Sequence, residues 1–192
     1  MSFNINEFTS KLTQYGGVQR SNKFKVFITP PNGLNSEAAN IFYDIPFFAE
    51  QTTLPGVNLS NHDVRRYGYG PIEKRPIGHT FTDLSITFIA DGMGKMHFAF
   101  KEWISLISPF DTKDGLGRNY LFQYKDSYKT DFQVLTYVEK EQTDPTIELT
   151  LMQAFPLSLS DSQLAWSDSN NYSRFTVQFA YVDWNVKYND PT

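Results

Sequence analysis

A strand pattern that gives way to a helix pattern between residues 83 and 107 most constrains the fold of this chain. From 83 to 90, the apolar residues Leu84, Ile86 and Phe88 alternate with polar ones. That is the two-residue period of a strand buried on one face. Directly afterwards the apolar residues recur at spacings of three and four, which is the period of a helix. The chain therefore needs a sheet and a helix that covers part of it.

The second half of this segment predicts an amphipathic helix with a defined beginning and end. Asp91 is predicted to be the N-cap, because its carboxylate would accept from the free amides of the first turn. Ser108 and Pro109 end the helix. Its apolar stripe is predicted to pack on the sheet and consists of Met93, Met96, Phe100, Trp103, Ile104 and Ile107.

The rest of the chain predicts mainly strands, separated by polar turns. Alternating apolar residues predict strands over 23–29, 132–138, about 147–151 and 175–181. Residues 41–53 are predicted to form a further strand at an edge or bulge, because Pro46 interrupts them. The polar segment 30–40 is predicted to be a loop, and 111–130 a long loop.

The N-terminal segment 4–14 predicts a short surface helix, with Ile5, Phe8 and Leu12 on one side. Together these elements predict one domain over residues 1–192, of the α+β class and mostly β. Its architecture is a curled antiparallel β-sandwich or small barrel with one flanking helix, the short N-terminal helix and a long protruding hairpin.

The protruding hairpin is predicted over residues 57–77. Two extended halves flank Gly68-Tyr69-Gly70-Pro71, which is a typical turn sequence. Apolar residues are sparse in both halves, so the hairpin cannot bury a full face on its own core. A two-stranded hairpin is marginally stable alone in water. We therefore expect it to be either a mobile surface loop or an arm that docks on another molecule.

The docking interpretation is supported by charge. The hairpin carries four cations, Arg65, Arg66, Lys74 and Arg75, in a chain with a formal net charge of −4. Acidic patches on neighbouring copies would attract these cations and favour one register of association. The arm would add its strands to a neighbouring sheet through the main chain.

Composition argues against several other functions. The chain has no cysteine, and its three histidines, His62, His79 and His97, are far apart in sequence. No spacing typical of a metal site or a catalytic nucleophile is present, so we predict no enzyme, metal or cofactor. A mildly acidic chain is poorly suited to gripping phosphate backbones. No apolar run approaches the roughly 18 residues that span a bilayer, and we expect no signal peptide or membrane anchor.

The chain resembles the tail tube protein of contractile-tailed, T-even-type (myovirus) bacteriophages. The resemblance covers most of residues 20–186 and depends on the order of several short motifs, none of which is diagnostic alone. These are NKFKV at 22–26, TTLPG at 52–56, the stretch from Arg75 through FTDL at 81–84 to FKEW at 100–103, AFP at 154–156, QLAWSDSNN at 163–171, FTV at 175–177, and Trp184.

The resemblance implies a structural subunit of the virion. Six copies would form a ring, and rings would stack into the inner tube of a contractile tail, assembled in the host cytoplasm. Implied partners are other copies, the tail sheath protein outside, and the baseplate and tail terminator at the ends. Genomic DNA would pass through the channel into the host without specific binding, and we expect a channel face that is not basic.

The resemblance also assigns the hairpin to contacts between subunits or rings. The residues expected there are Leu54, Pro55, Val64, Arg65, Arg66, Tyr67, Tyr69, Lys74 and Arg75. Segments 30–44 and 111–130 look longer than in short members of the family. These longer segments could also mark the chain as a tube initiator or a tube-like baseplate ring protein of the same fold.

One alternative lies outside this class. A β-sandwich module that binds carbohydrate would use exposed aromatic side chains as platforms. Its candidate residues are Tyr67, Tyr69, Trp166 and Tyr172. Packing in a core or an interface explains the same aromatics, and we favour that explanation.

Overall fold

The computed structural model describes residues 4–65, 68–110, 121–138, 144–162, 165–166 and 171–189. Its helices are α1 (Ile5–Gln14), α2 (Ser36–Ile41), α3 (Ile45–Phe48), α4 (Lys95–Ile107) and α5 (Lys125–Tyr128), with one 3-10 turn at Phe42–Asp44. Its strands are β1 (Phe24–Ile28), β2 (Ala49–Thr52), β3 (Val57–Val64), β4 (Glu73–Phe81), β5 (Leu84–Ile89), β6 (Thr130–Thr136), β7 (Ile147–Leu159), β8 (Arg174–Ala180) and β9 (Asp183–Tyr188).

All of these strands pair in antiparallel fashion, and the long strand β7 belongs to two layers. Its first half lies between β6 and β9, and its second half pairs with β8. One layer is therefore β1-β6-β7-β9, and the other is β7-β8-β5-β2. Because one continuous strand joins them, the sheet curls on itself. The mostly β, curled antiparallel fold predicted from the sequence is confirmed.

The change of layer along β7 occurs at Gln153. This residue has φ 55°, a left-handed conformation that costs a non-glycine residue about 1 kcal/mol or more. Its backbone N–H donates to the Asp131 carboxylate at 2.7 Å. The pairing of β6 with β7 also contains a bulge, between Thr130 and Phe132. The bulge and the Asp131 bond together turn the strand from one layer into the other.

The inner faces of both layers and one side of α4 enclose the apolar core. Its centre is aromatic: the ring of Phe88 lies 4.8 Å from that of Phe100 and 5.6 Å from that of Phe175. Offset and edge-on ring pairs of this kind stabilise a core beyond their area alone. The largest fully buried side chains are Trp103, Phe42, Phe88, Phe100, Phe132, Phe179, Ile45, Leu84, Ile86, Met96, Leu149 and Leu151.

Helix α4 lies on this core along most of its predicted stripe. Met96, Phe100 and Trp103 are buried, and Ile104 and Ile107 are half-buried. The expectation that Met93 belongs to the stripe is wrong. It precedes the first residue of the helix, Lys95, and is 83% exposed.

Asp91 caps α4 from a distance. The N-cap position is occupied by Gly94, with φ 70°, so the expectation that Asp91 itself is the N-cap residue is wrong. Its carboxylate nevertheless accepts from the backbone amides of Lys95 at 2.9 Å and Met96 at 3.0 Å. The chemistry expected of Asp91 is therefore present, although the helix begins four residues later than the carboxylate.

Replacement of Asp91 by alanine is expected to lower the stability by about 1 kcal/mol at neutral pH, because two helix amides lose their acceptor. Burial raises the pKa of Asp91, but the amide hydrogen bonds from Met96 and Lys95 outweigh it and leave the pKa below its usual 3.8. The stabilisation is thus complete above the unfolded-state pKa and is lost as the pH falls through the folded-state pKa. Urea unfolding at several pH values measures this; a difference between variant and parent that does not shrink in acid would contradict it.

The segment 30–53 departs most from the sequence prediction. The predicted loop to residue 40 and strand over 41–53 are wrong, because α2, the 3-10 turn and α3 occupy most of the segment and only β2 is extended. Ala38, Phe42 and Ile45 are buried at helical spacing. Asn35 caps α2 by accepting from the Ala38 amide at 2.8 Å. Pro46 lies in the first turn of α3, where no backbone N–H is required.

Two other segments differ in detail. Of the predicted long loop over 111–130, residues 111–120 lie outside the described part, while α5 and the start of β6 occupy its end. Strand β9 was not predicted. Its inward residues Trp184 and Val186 are only half-buried, because β9 covers an edge of the sandwich and its alternation is therefore weak.

Candidate assembly surface

The predicted hairpin is present, and it continues one layer of the sandwich. Strand β2 pairs with β5, with Thr52 opposite Ile86. A few residues further on the same two chain segments pair again as β3 and β4, from Val57 opposite Phe81 to Val64 opposite Glu73. The hairpin is therefore the outer part of one long two-stranded ribbon, whose inner part lies in the body of the protein.

The base of the hairpin is fixed to the body by aromatic side chains. The ring of Phe81 lies 5.9 Å from that of Tyr181 and 6.3 Å from that of Trp184. The Tyr181 hydroxyl donates to the Thr82 carbonyl at 2.7 Å. Burial, with a smaller effect of the Asp83 carboxylate, raises the pKa of Tyr181, so this donor keeps its proton at any physiological pH. These contacts fix where the hairpin leaves the body.

Beyond its base the hairpin is exposed on both faces. In β3 only the last residue, Val64, is half-buried, and in β4 only Phe81 is. Seventeen residues of regular strand, eight in β3 and nine in β4, are thus paired with each other and with almost nothing else in the described chain. An isolated two-stranded hairpin is only marginally stable in water. The geometry therefore fits an arm that packs against another molecule.

In the inner half of the hairpin, up to the bulge beside Ser60, the two faces differ in polarity, a feature that the sequence interpretation missed. Val57 and Leu59 share a face with their register partners Phe81 and His79, and alternation along β4 adds Ile77. Leu59 is 62% exposed and Ile77 72% exposed. The opposite face carries Asn58, Ser60, Gly78 and Thr80. The sequence shows apolar residues two apart in β3, Val57 and Leu59, but only the pairing with β4 brings Ile77 and Phe81 to the same face.

The residues predicted from sequence to make inter-subunit contacts are distributed along this ribbon. Leu54, Arg65, Tyr69, Lys74 and Arg75 are exposed, whereas Pro55 and Val64 are half-buried. Arg66 and Tyr67 lie outside the described residues. The exposed members are therefore accessible for contacts with another chain, and whether they make them remains a prediction.

One of the hairpin cations already has a partner. The Arg75 guanidinium Nε lies 3.2 Å from the Glu73 carboxylate, and both side chains are about half exposed. Exposed ion pairs of this kind contribute about 0–1 kcal/mol. The pair is therefore weak enough to be exchanged for an acidic partner on a second chain.

A cleft of about 880 Å³ beside β8 contains two of the aromatic side chains considered for a carbohydrate site. Trp166 and Tyr172 line it together with Arg174. The Arg174 guanidinium covers the Tyr172 ring at 4.4 Å from its centre and pairs with Glu50 at 3.1 Å, and the Tyr172 hydroxyl also donates to Glu50. Tyr172 thus stacks on a cation of its own chain, which leaves that face unavailable to a sugar, and Tyr69 lies in the hairpin turn and does not line this cleft.

In the ranges that the structure describes, no three His, Cys, Asp or Glu side chains come together as metal ligands would. None of the helices in those ranges is long and apolar enough to cross a membrane.

The fold is one found in contractile injection systems. The chain aligns with a chain of the sheath–tube complex of an extracellular contractile injection system, PVC, at TM-score 0.61 and 14% identity, over 98% of this chain and 100% of the other. It aligns with a chain of the tube-terminating cap of the anti-feeding prophage at TM-score 0.61 and 18% identity, over 90% and 92%. A chain of the anti-feeding prophage baseplate gives TM-score 0.63 and 14% identity, over 90% and 97%.

The sequence specifies the family. Residues 19–187 match the profile of the phage tail tube proteins, and the chain belongs to that family. It is therefore a structural component of a phage tail and not an enzyme. No curated protein sequence matches the chain at a significant level.

Proposed function

We propose that this chain is the repeating subunit of the inner tube of a contractile phage tail. Six copies form a ring, rings stack through the hairpin, and the tube carries the genome into the host. The observation that carries the proposal is the long ribbon of β3 and β4, which is paired within itself, exposed on both faces, and apolar on one face of its inner half at Val57, Leu59 and Ile77. Burying that apolar face requires a second molecule, and copies of the same chain are the partners a tail tube subunit meets.

Ring closure follows from the edges of the sandwich. Strands β1 and β9 are the outer strands of one layer, and β2 is an outer strand of the other. Their outward backbone groups are suited to pairing with a neighbouring subunit, which removes exposed edges by continuing the sheet. The six-fold symmetry reported for the similar anti-feeding prophage baseplate supports six subunits in such a ring.

The remaining partners follow from the tail itself. A tube inside a contractile tail is surrounded by sheath, starts at a baseplate and ends at a terminator. Similar chains occur in a sheath–tube complex, a baseplate and a tube-terminating cap, which supports this arrangement. With a formal net charge of −4, the subunit has no overall attraction for DNA that would retard its passage.

A second candidate function is an initiator or baseplate ring of the same fold. The similarity to the anti-feeding prophage baseplate chain, at TM-score 0.63, is the observation that favours this second function. Its subunit would form one ring and accept the tube on one side only. The two functions therefore differ in whether a ring adds further identical rings.

Electron microscopy of the purified chain tests the proposal. We expect rings and tubes of variable length, since head-to-tail stacking continues until it is capped. Mass photometry of the smallest closed species is expected to give six times the 22.1 kDa of the chain. Single rings that never lengthen would favour the initiator instead. A stable monomer at high concentration that binds glycans would overturn both in favour of a carbohydrate module.

A further inference from the structure

The outward face of the layer β7-β8-β5-β2 has an unusual composition. Alternation along each strand sets which side chains point away from the core. The exposed apolar Leu157 lies on this face at the bulge of β7, and the register-paired side chains in the middle of the face are hydroxyls and amides. They are Gln51, Ser85, Thr87, Ser158, Thr176 and Gln178.

These side chains form two rows across the layer. In one, Ser158 and Ser85 both lie opposite Gln178, and the Ser158 hydroxyl donates to the Gln178 amide oxygen at 3.2 Å. In the other, Thr87 lies opposite both Thr176 and Gln51, and the two threonine hydroxyls are 3.0 Å apart. Several of the polar groups are therefore satisfied by each other.

The outward face of the other layer, β1-β6-β7-β9, is different. It combines charges of both signs with exposed apolar side chains such as Phe27 and Met152. Its charged members are Lys25, Asp131, Glu148, Asp183 and Lys187. A face of this kind offers strong contacts to a protein partner.

The uncharged face offers few strong contacts to a moving polyanion. Each cation that meets a DNA phosphate adds a favourable, salt-dependent contribution to binding, so a channel lined by Lys and Arg would hold DNA. Among the described residues the one cation at the end of this face is Arg174, and Glu50 neutralises it at 3.1 Å. Hydroxyls and amides that already bond to each other keep the surface wetted and leave little affinity for phosphate.

We infer that the Gln51, Ser85, Thr87, Ser158, Thr176 and Gln178 face of the layer β7-β8-β5-β2 lines the channel, an assignment that rests on the proposed tube. The opposite layer then faces outward. The hairpin continues β2 and β5 of the same layer, so the arm that joins successive rings leaves directly from the channel wall.

Labelling of single cysteines tests the assignment, because the natural chain contains no cysteine. Thr176→Cys places a thiol on the uncharged face, and Thr150→Cys places one on the other face; both threonines are half-buried in central strands. In assembled tubes we expect a small maleimide to label Thr176→Cys and a maleimide coupled to a globular protein wider than the channel not to label it. Thr150→Cys is expected to accept both reagents.

The controls separate failure of the inference from failure of the tube proposal. Combined with the 61–74 deletion described below, which keeps the chain unassembled, Thr176→Cys should react with both reagents. If Thr176→Cys does not fold, Gln178→Cys on the same face replaces it. Labelling of the uncharged face in intact tubes by the large reagent, or by neither reagent, overturns the inference and leaves the tube proposal intact. Absence of tubes from the natural chain overturns both.

Discussion

Deletion of residues 61–74 is expected to abolish stacking into tubes and to leave the body folded. The deletion removes the outer hairpin, whose described residues contribute no buried side chain to the core. It leaves residues 75–77 to connect Ser60 and Gly78, which are already register partners. The base, fixed by Phe81 and Tyr181, is retained. Circular dichroism and thermal unfolding should match the parent, while electron microscopy should show no tubes.

A pair of point variants tests the apolar face, which lies in the part of the hairpin that the deletion retains. Leu59→Asp puts a charge on the apolar face of the hairpin, and Ser60→Asp puts the same charge on the polar face one residue away. Both positions are exposed, so neither substitution should unfold the chain. We expect Leu59→Asp alone to suppress assembly, because it would bury an unpaired carboxylate in the contact. Normal tubes from the deletion variant would show that the hairpin is not the stacking arm.

Trp103→Ala is expected to cost about 3–5 kcal/mol of folding stability, in the range measured for aromatic truncations in cores. Trp103 is fully buried. Its ring lies edge-on to Phe42 at 5.5 Å and 6.1 Å from Phe179. Its indole N–H donates to the Tyr128 carbonyl at 2.9 Å. The substitution therefore opens a cavity where α4 meets the sheet and removes the donor that holds α5 against α4.

Chemical denaturation with fluorescence or circular dichroism measures this effect, and Trp166→Ala is its control. Trp166 is the same residue type but fully exposed, at 107% of the reference area, and its loss should change stability by less than about 0.5 kcal/mol. Equal midpoints for the two variants would mean that α4 is not integral to the core. A stability loss in Trp103→Ala should also reduce assembly, through the lower population of folded subunits.

Local sequence patterns correctly predicted the elements in which one face is fully buried and the other is not. In β5 and β8 every second residue is fully buried, so the period of two is unmistakable. In α4 the buried side is equally regular from Met96 to Trp103. The prediction for segment 36–48 was wrong for two reasons. Its three buried residues, Ala38, Phe42 and Ile45, are spread over three short helical pieces. Pro46 is compatible with either a strand edge or a first helical turn.

The hairpin shows a different limit. Turn residues and sparse apolar positions predicted both its existence and its poor burial, because these depend only on neighbours in sequence. The sequence did not predict the apolar face of the hairpin, because that face depends on which residues of β3 and β4 are opposite each other. The bulge beside Ser60 sets this register. The same holds for the base, where Phe81 meets Tyr181 and Trp184 about a hundred residues away.

The sequence by itself determined that this chain is mostly β, that one amphipathic helix covers the sheet, that a hairpin protrudes, and, through its ordered motifs, that it belongs with phage tail tube proteins. Local periodicity and turn chemistry are short-range properties, and they are sufficient for those conclusions. Only the tertiary structure decided how β7 joins two layers at Gln153, and that one layer has a charged outer face and the other an uncharged one. Those properties depend on long-range strand pairing, which no single stretch of sequence specifies.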